Sequence, residues 1–344
     1  MPEITVLMAV YNGERYLGEA IESILGQSYG GFEFLIVDDA STDGTSSILK
    51  QYALADKRIR LISNESNLGL SRSLNRGLEL AKGAYIARMD ADDIARPERF
   101  ATQLVWLKEH PEILVLGSAI QMIDENGCQL PTKPPPYRPI EMRWASFFGR
   151  QFVVCHPTAM IRRELFDHFG FYAEIPTSQD LELWSRLMYE NPYPIANLEE
   201  ILLDYRVHSN AISTQQSDLQ FQTSNRVRQK VIEELIGHKI EIDAVSAYRI
   251  RGVYRNISEF IHNWIEVYAA FFKQFPAVID EIVVINAEFL ERLGRYIYFN
   301  PLTKDKNGRF SFYRIRKIIP PKMRKSLLDN KRGKTRHEEV LVES

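Results

Sequence analysis

The feature that most constrains this chain is a rhythm that runs from residue 4 to about residue 107. Short apolar runs alternate with segments whose apolar residues recur every three or four positions. Ile4 to Val10 is apolar almost without a break, as in a strand buried on both faces. After Tyr11-Asn12-Gly13, residues Tyr16, Leu17, Ala20, Ile21, Ile24 and Leu25 fall on one face of a helix lying on a sheet. The same reading predicts strands over Glu33–Val37, Arg58–Ser63 and Tyr85–Met89, with helices from Asp43 to about Ala53 and from Ser71 to Ala81. Asp43 is a natural cap, and Pro97 opens a further helix at a favourable first-turn position. Strands alternating with helices give a mainly parallel α/β sheet, which binds ligands at the carboxyl ends of its strands.

The rhythm fades between Asp124 and Arg138, where Pro131 and Pro134-Pro135-Pro136 mark a loop. A second block follows, with a strand expected near Phe152–Val154, a helix near Asp180–Tyr189 and a strand near Ile201–Tyr205. Beyond Gln216 the pattern turns helical, over Phe221–Leu235 and Ile257–Phe272. A boundary at 215–225 is expected to separate a domain of residues 1–220 from a mostly helical region of residues 221–344. The 344 residues and their 45% hydrophobic content suit two domains with real cores.

Net charge is only -2, but it is unevenly placed. Between Lys304 and Arg336 stand 13 Lys and Arg against Asp305 and Asp329, a basic tail on an acidic body. Phe310, Phe312, Tyr313, Ile315, Ile318 and Ile319 are interleaved there with Arg309, Arg314, Arg316 and Lys317. This mixture suits an anionic membrane surface. A solvated tail or a surface for another protein is the alternative, and the acidic body argues against nucleic acid. Cys128 and Cys155 are too few and too far apart for a disulfide framework or a cysteine metal motif, which suits a reducing cytoplasm. No secretion signal and no apolar run of ~20 residues is found, so the expected location is cytoplasmic, peripheral at the inner face of the membrane.

Three acidic clusters sit where strands end or helices begin: Asp38-Asp39 with Asp43, Asp90-Ala91-Asp92-Asp93, and Gln179-Asp180 with Glu182. Asp90 and Asp92 are two residues apart, so an extended chain points both carboxylates to one side. Carboxylates packed this closely repel one another unless a cation neutralises them, and oxygen ligands suit Mg²⁺ or Mn²⁺. The alternative is a solvated acidic turn with helix caps. The preceding apolar strand Tyr85-Ile86-Ala87 and the company of the other clusters favour the cation.

The stretches Thr5–Asn12, Glu22–Tyr29 and Val37–Asp43 resemble the opening of the family-2 glycosyltransferases. Asn67-Leu68-Gly69-Leu70-Ser71, Asn75-Arg76-Gly77 and Asp90–Asp93 continue the pattern in order. His156-Pro157-Thr158-Ala159-Met160, Gln179–Trp184 and Tyr205-Arg206-Val207-His208 follow. The resemblance covers residues 3 to 212. It implies the GT-A fold, a Rossmann-like sheet flanked by helices, and an inverting hexosyltransferase-type enzyme. Its donor would be a nucleotide diphosphate sugar, uridine first, its acceptor a glycan or a lipid-linked hydroxyl, and its pathway surface polysaccharide or lipopolysaccharide assembly.

The same resemblance implies roles for individual residues. Asp39 would accept from the nucleobase N–H beside Val10 and Tyr11, although Tyr11 reads equally as plain packing. Asp90 would lie near the donor ribose, Asp92 would hold Mn²⁺ or Mg²⁺, and Asp93 would be a cap or lie behind the ligands. Asp180 would be the general base, or simply the cap of its helix. Relatives commonly carry an acidic residue where Gln179 stands, a departure that leaves the base in place. His208 is a candidate second metal ligand or a surface-loop histidine, and His156 lines the acceptor site or is structural. Arg72 and Arg206 are candidate diphosphate cations, against the alternative of ordinary exposed arginines.

Rival readings are weaker on the residues. A nucleotidyltransferase calls for a glycine- and basic-rich phosphate loop where Tyr11-Asn12-Gly13-Glu14-Arg15 stands, and a dehydrogenase for Gly-x-Gly-x-x-Gly after Val10. A phosphatase using Asp38 leaves Gln179-Asp180 unexplained. An inactive carbohydrate- or nucleotide-binding relative would ordinarily have lost Asp92 or Asp180, and both are present.

Overall fold

A computed structural model describes residues 2–148, 153–190, 192–209 and 211–240, with a few positions between 267 and 275. Its strands are β1 (Ile4–Val10), β2 (Phe32–Asp38), β3 (Ile59–Ser63), β4 (Tyr85–Met89), β5 (Ile94–Ala95), β6 (Val115–Ile123), β7 (Met160–Arg162) and β8 (Ile195–Arg206). Its helices are α1 (Leu17–Leu25), α2 (Thr45–Ala55), α3 (Leu70–Leu80), α4 (Arg99–Glu109), α5 (Pro139–Phe148), α6 (Glu164–Phe169), α7 (Gln179–Arg186), α8 (Ile212–Gln215) and α9 (Ser217–Ile236). One sheet runs in the order β3-β2-β1-β4-β7-β6-β8-β5.

The continuous apolar runs are strands covered on both faces. Ile4, Val6, Met8 and Val10 face one layer with Leu17, Ile21 and Ile24 of α1, while Leu7 and Ala9 face the other with Leu74 and Leu78 of α3. Helix α3 lies so close that a Cβ on Gly77 would stand 2.2 Å from Leu7 Cδ1. Burying one such leucine or isoleucine is worth roughly 1.5–3 kcal/mol, so the layers themselves hold the register.

β1 pairs in parallel with β2 and β4, and β2 with β3. Val10 lies beside Asp38, and Asp38 beside Ser63, so these strands end along one edge. Past β4 the sheet is mixed rather than parallel, because β7 runs antiparallel to both β4 and β6. The chain enters β7 from the 3₁₀ turn His156–Thr158, which sits at the carboxyl end of β4, where Arg88 N–H donates to Ala159 O. A strand entered from that end must run backwards.

Two local expectations change, and one strand is added. Val153 and Val154 form a bend, and Phe152 lies outside the described residues; the strand begins instead at Met160. Pro97 precedes α4 rather than opening it, its carbonyl taken by the N–H and hydroxyl of Ser28. β6 adds a long strand in a run interrupted by Gly117-Ser118.

By internal contact the chain divides into units of residues 1–227 and 228–344. Of the helix expected over 257–272, Val267, Ala270 and Phe271 are described and helical. The basic stretch 304–336 lies outside the described residues. No helix among the described residues is long and apolar enough to cross a membrane.

Candidate active site

Two loops at the carboxyl edge are knitted together by the residues of Asp38–Asp43. Asp38 accepts from Ser41 N–H at 3.0 Å and from the Ser46 hydroxyl. Ser41 Oγ in turn accepts from Asn12 N–H, while Asn12 Oδ1 accepts from Thr42 N–H at 2.8 Å. Asp43 accepts from Thr45 N–H and Glu14 N–H, just ahead of α2. The β1 and β2 loops are therefore tied to one another.

Asn12 (φ 52°), Ala40 (φ 60°) and Ser178 (φ 61°) are the non-glycine residues with positive φ among those described. The first follows β1, the second follows β2, and the third precedes α7. Such backbone costs on the order of 1–3 kcal/mol and concentrates at ligand sites.

Asp39 is 3% exposed and its carboxylate is clasped on both oxygens. Oδ1 accepts from Asn64 Nδ2 at 2.6 Å and Leu68 N–H at 2.8 Å, and Oδ2 from Gly69 N–H at 2.9 Å. It ties the 64–69 loop, and with it the start of α3, to the end of β2. Beside it Val10 is buried, whereas Tyr11 is 49% exposed and takes no part in the core.

Asp90, Asp92 and Asp93 offer ligand oxygens that all lie within 4.8 Å of one another. Desolvation pushes the Asp90 carboxyl above its usual range; Arg88 pulls it down, and the charges of Asp92 and Asp180 push it up again. Asp93 is raised further, by burial and then by Asp92 and Asp90. One Asp93 oxygen accepts from Arg206 N–H at 2.8 Å and the other is buried without a partner.

His208 reaches this cluster. Its Nε2 lies 2.9 Å from Asp92 Oδ2, across 116 residues of sequence. The short strand β5 makes the meeting: Ile94 pairs with Asp204 and Ala95 with Leu203, antiparallel. Carried two residues on, that register sets Asp92 opposite Arg206, with His208 just beyond. Carboxylate oxygens beside an imidazole nitrogen are a donor set that suits Mn²⁺, and a divalent charge relieves the repulsion among the three carboxylates. The residues fit a cation.

Asp180 stands in the first turn of α7, close enough for its charge to act on Asp90, Cys155 and Tyr172. Three buried groups stand near it, His156, Tyr172 and Cys155. His156 Nε2 is 2.8 Å from the Tyr172 hydroxyl, and burial together with Arg88 holds His156 well below its usual pKa, so it stays neutral. Burial and three nearby aspartates keep Cys155 a thiol.

The expected site residues do not all fall together. Val10, Tyr11 and Asp39 line the β1–β2 edge, and Asp90, Asp92, His208 and Asp180 gather beside β4. Arg72 is spoken for: its Nε donates to Glu174 at 2.8 Å, both side chains being more than half exposed. Arg206 is neither exposed nor free, because its side chain is 2% exposed and bonded on several sides. Arg88, fully buried and ion-paired with Asp90, was not singled out by sequence reasoning. A lone arginine inside an apolar strand, two residues ahead of Asp90, is the signal that marks it.

Residues 5–170 match the model of glycosyl transferase family 2. EpsE of Bacillus subtilis, which carries a provisional glycosyltransferase name, is 38% identical over 218 residues, spanning 61% of this chain and 75% of EpsE. The chain belongs to glycosyltransferase family 2. The O-antigen biosynthesis glycosyltransferase WbnJ of Escherichia coli is 32% identical over 63% of this chain and 84% of its own length. The crystal structure of S. aureus TarS 1–349 in complex with UDP-GlcNAc superposes with a TM-score of 0.57 at 20% identity, over 83% of each chain, and so shares the fold.

Proposed function

We propose that this family-2 chain moves a sugar from a nucleotide diphosphate donor, uridine diphosphate first, to an acceptor hydroxyl with inversion at the anomeric carbon. The observation that carries the reading is the 2.9 Å approach of His208 Nε2 to Asp92 Oδ2 beside Asp90 and Asp93. Asp92 and His208 are the proposed ligands of Mn²⁺ or Mg²⁺. When bound, that cation neutralises the diphosphate as it departs.

The chain's own groups do the rest. Asp39, Val10 and Tyr11 receive the base: Asp39 keeps lone-pair capacity beyond its three bonds, and exposed Tyr11 offers a ring face. Asp90, fixed by Arg88, lies toward the ribose. Arg72 reaches the diphosphate by exchanging Glu174 for it. Asp180 is the base: the acceptor oxygen bonds to the anomeric carbon while the bond from that carbon to the phosphate oxygen breaks. The acceptor proton passes to the Asp180 carboxylate, and the bonding electron pair leaves with the nucleoside diphosphate.

The name of WbnJ supports a place in cell-surface polysaccharide or lipopolysaccharide assembly. A lipid-linked acceptor fits the basic, aromatic stretch 304–336, which suits an anionic membrane surface at the cytoplasmic side. The division into a catalytic domain of residues 1–220 and a C-terminal region of residues 221–344 belongs to the same proposal.

The test is thermal stabilisation by a panel of nucleotide diphosphates and nucleotide sugars, with Mn²⁺ and then with EDTA. A shift for one uridine donor that vanishes with EDTA is expected. Folded protein that responds to no nucleotide refutes the reading.

A further inference from the structure

Arg206 ends β8 two residues ahead of His208, and no step above uses it. Arg206 touches several parts of the acidic cluster, and its Nη1 donates to the Asp124 and Glu125 carbonyls at 3.5 and 3.4 Å. Nε donates to the Asp92 carbonyl at 2.9 Å, Nη2 to Glu19 Oε2 at 2.8 Å, and the backbone N–H to Asp93 Oδ1 at 2.8 Å. The guanidinium carbon also lies 4.4 Å from the centroid of the Tyr16 ring. His208 packs against the same ring, its imidazole centroid 5.0 Å away at a 55° tilt, and the Arg15 guanidinium carbon lies 4.9 Å from the Tyr16 centroid. Tyr16 is buried, and its hydroxyl has no partner, so the ring serves here as a packing surface.

We propose that Arg206 is a positioning residue for the divalent cation, setting the separation of Asp92 from His208 and hence the affinity for metal. The inference rests on Asp92 and His208 being the ligands. One end of the guanidinium fixes the backbone of Asp92. The guanidinium carbon, 4.4 Å from the Tyr16 centroid, packs against that ring, and Tyr16 limits where the His208 ring can turn. Only a planar, permanently charged fork does both at once; a lysine ammonium reaches one partner and cannot stack in the same way. Glu19 pairs with the fork from α1. Groups behind metal ligands are typically worth ~10–100-fold in metal affinity.

The experiment is a Mn²⁺ titration of purified full-length protein, reading free Mn²⁺ by electron paramagnetic resonance. Wild type, His208→Ala, Arg206→Lys and Glu19→Gln are compared, each checked for folding by near-ultraviolet circular dichroism. Arg206→Lys is expected to raise the Mn²⁺ Kd by ~10–100-fold. Sugar transfer by that variant is expected to recover when Mn²⁺ is raised to saturation, which a general loss of structure does not allow. Glu19, more than half exposed, tolerates substitution, so Glu19→Gln remains informative if Arg206→Lys fails to fold; a smaller rise in Kd is expected. An unchanged Kd in the folded variants, with wild type binding tightly and His208→Ala weakly, overturns the role of Arg206 alone. Equal binding by wild type and His208→Ala overturns the ligand assignment and this inference with it.

Discussion

Asp39→Asn separates what the sequence suggests of this residue from what the structure adds. The carboxylate accepts from Asn64 Nδ2, Leu68 N–H and Gly69 N–H, and it is 3% exposed. An amide offers one acceptor oxygen and one donor group, so at least one of the three donors meets a second donor. The least costly arrangement keeps Oδ1 toward Asn64 and Leu68 and turns the new NH₂ toward Gly69. Asn64 cannot flip to help, because its Oδ1 accepts from Arg76 and its Nδ2 also donates to Ser73. Gly69 N–H keeps Asn67 Oδ1 at 3.1 Å as a second acceptor, so losing Asp39 there costs the low end of the ~1–3 kcal/mol range, ~1 kcal/mol. The two surviving bonds pass from a charged to a neutral acceptor and lose about half their worth, ~1 kcal/mol each. The total is ~3 kcal/mol, and at ~2–4 °C per kcal/mol for a domain of this size the midpoint falls by roughly 6–12 °C. Differential scanning calorimetry of the protein without nucleotide reads this directly. A second scan with UDP and Mn²⁺ then shows the ligand-induced shift shrinking as well. A nucleotide-free midpoint equal to that of wild type refutes the clasp, whatever happens to binding.

Three further outcomes are expected. Asp92→Asn and His208→Ala each lose the Mn²⁺-dependent part of nucleotide stabilisation, and a full shift in either variant removes that residue from the ligand set. Asp180→Asn keeps donor stabilisation while transfer falls ~10²–10⁴-fold, the usual worth of a general base; full turnover sinks the mechanism. Stability falls with acidity through His156: the folded imidazole is held well below its usual pKa, so below pH ~6.5 the unfolded chain takes up a proton that the folded one does not. The contribution is whole above that pH and declines below it by up to ~1.4 kcal/mol per pH unit. His156→Gln keeps a partner for the Tyr172 hydroxyl and removes this share, so urea titrations from pH 7 to pH 5 should show a shallower decline; parallel curves contradict the assignment.

The parallel half of the sheet was legible because strands buried on both faces leave unbroken apolar runs, and their carboxyl ends carry the acidic turns. β6 was hidden by Gly117-Ser118, which breaks its run. Gly117 is there for a tertiary reason, since a Cβ would stand 2.2 Å from Asn197 Oδ1 on β8. Asp39 was legible as a site residue, but nothing local says that its donors are backbone groups 29 and 30 residues on. Arg206 looked like a surface arginine because arginine usually is one, and its burial follows from Tyr16, Glu19 and Asp92 arriving around it.

What joins those residues is β5, two residues long and too short to leave a pattern of its own. Its antiparallel pairing with β8, Ile94 to Asp204, carries Asp92 to Arg206 and to the neighbourhood of His208. A slip of one residue in this pairing turns every side chain of the slipped segment to the opposite face. Asp92 and His208 would then point away from one another, although every motif in the sequence would still be intact. The Asp90-Ala91-Asp92 spacing offers ligands, but the register of a two-residue strand decides whether an imidazole meets them. Substitutions in β5 should therefore act on metal affinity out of proportion to their effect on the rest of the fold.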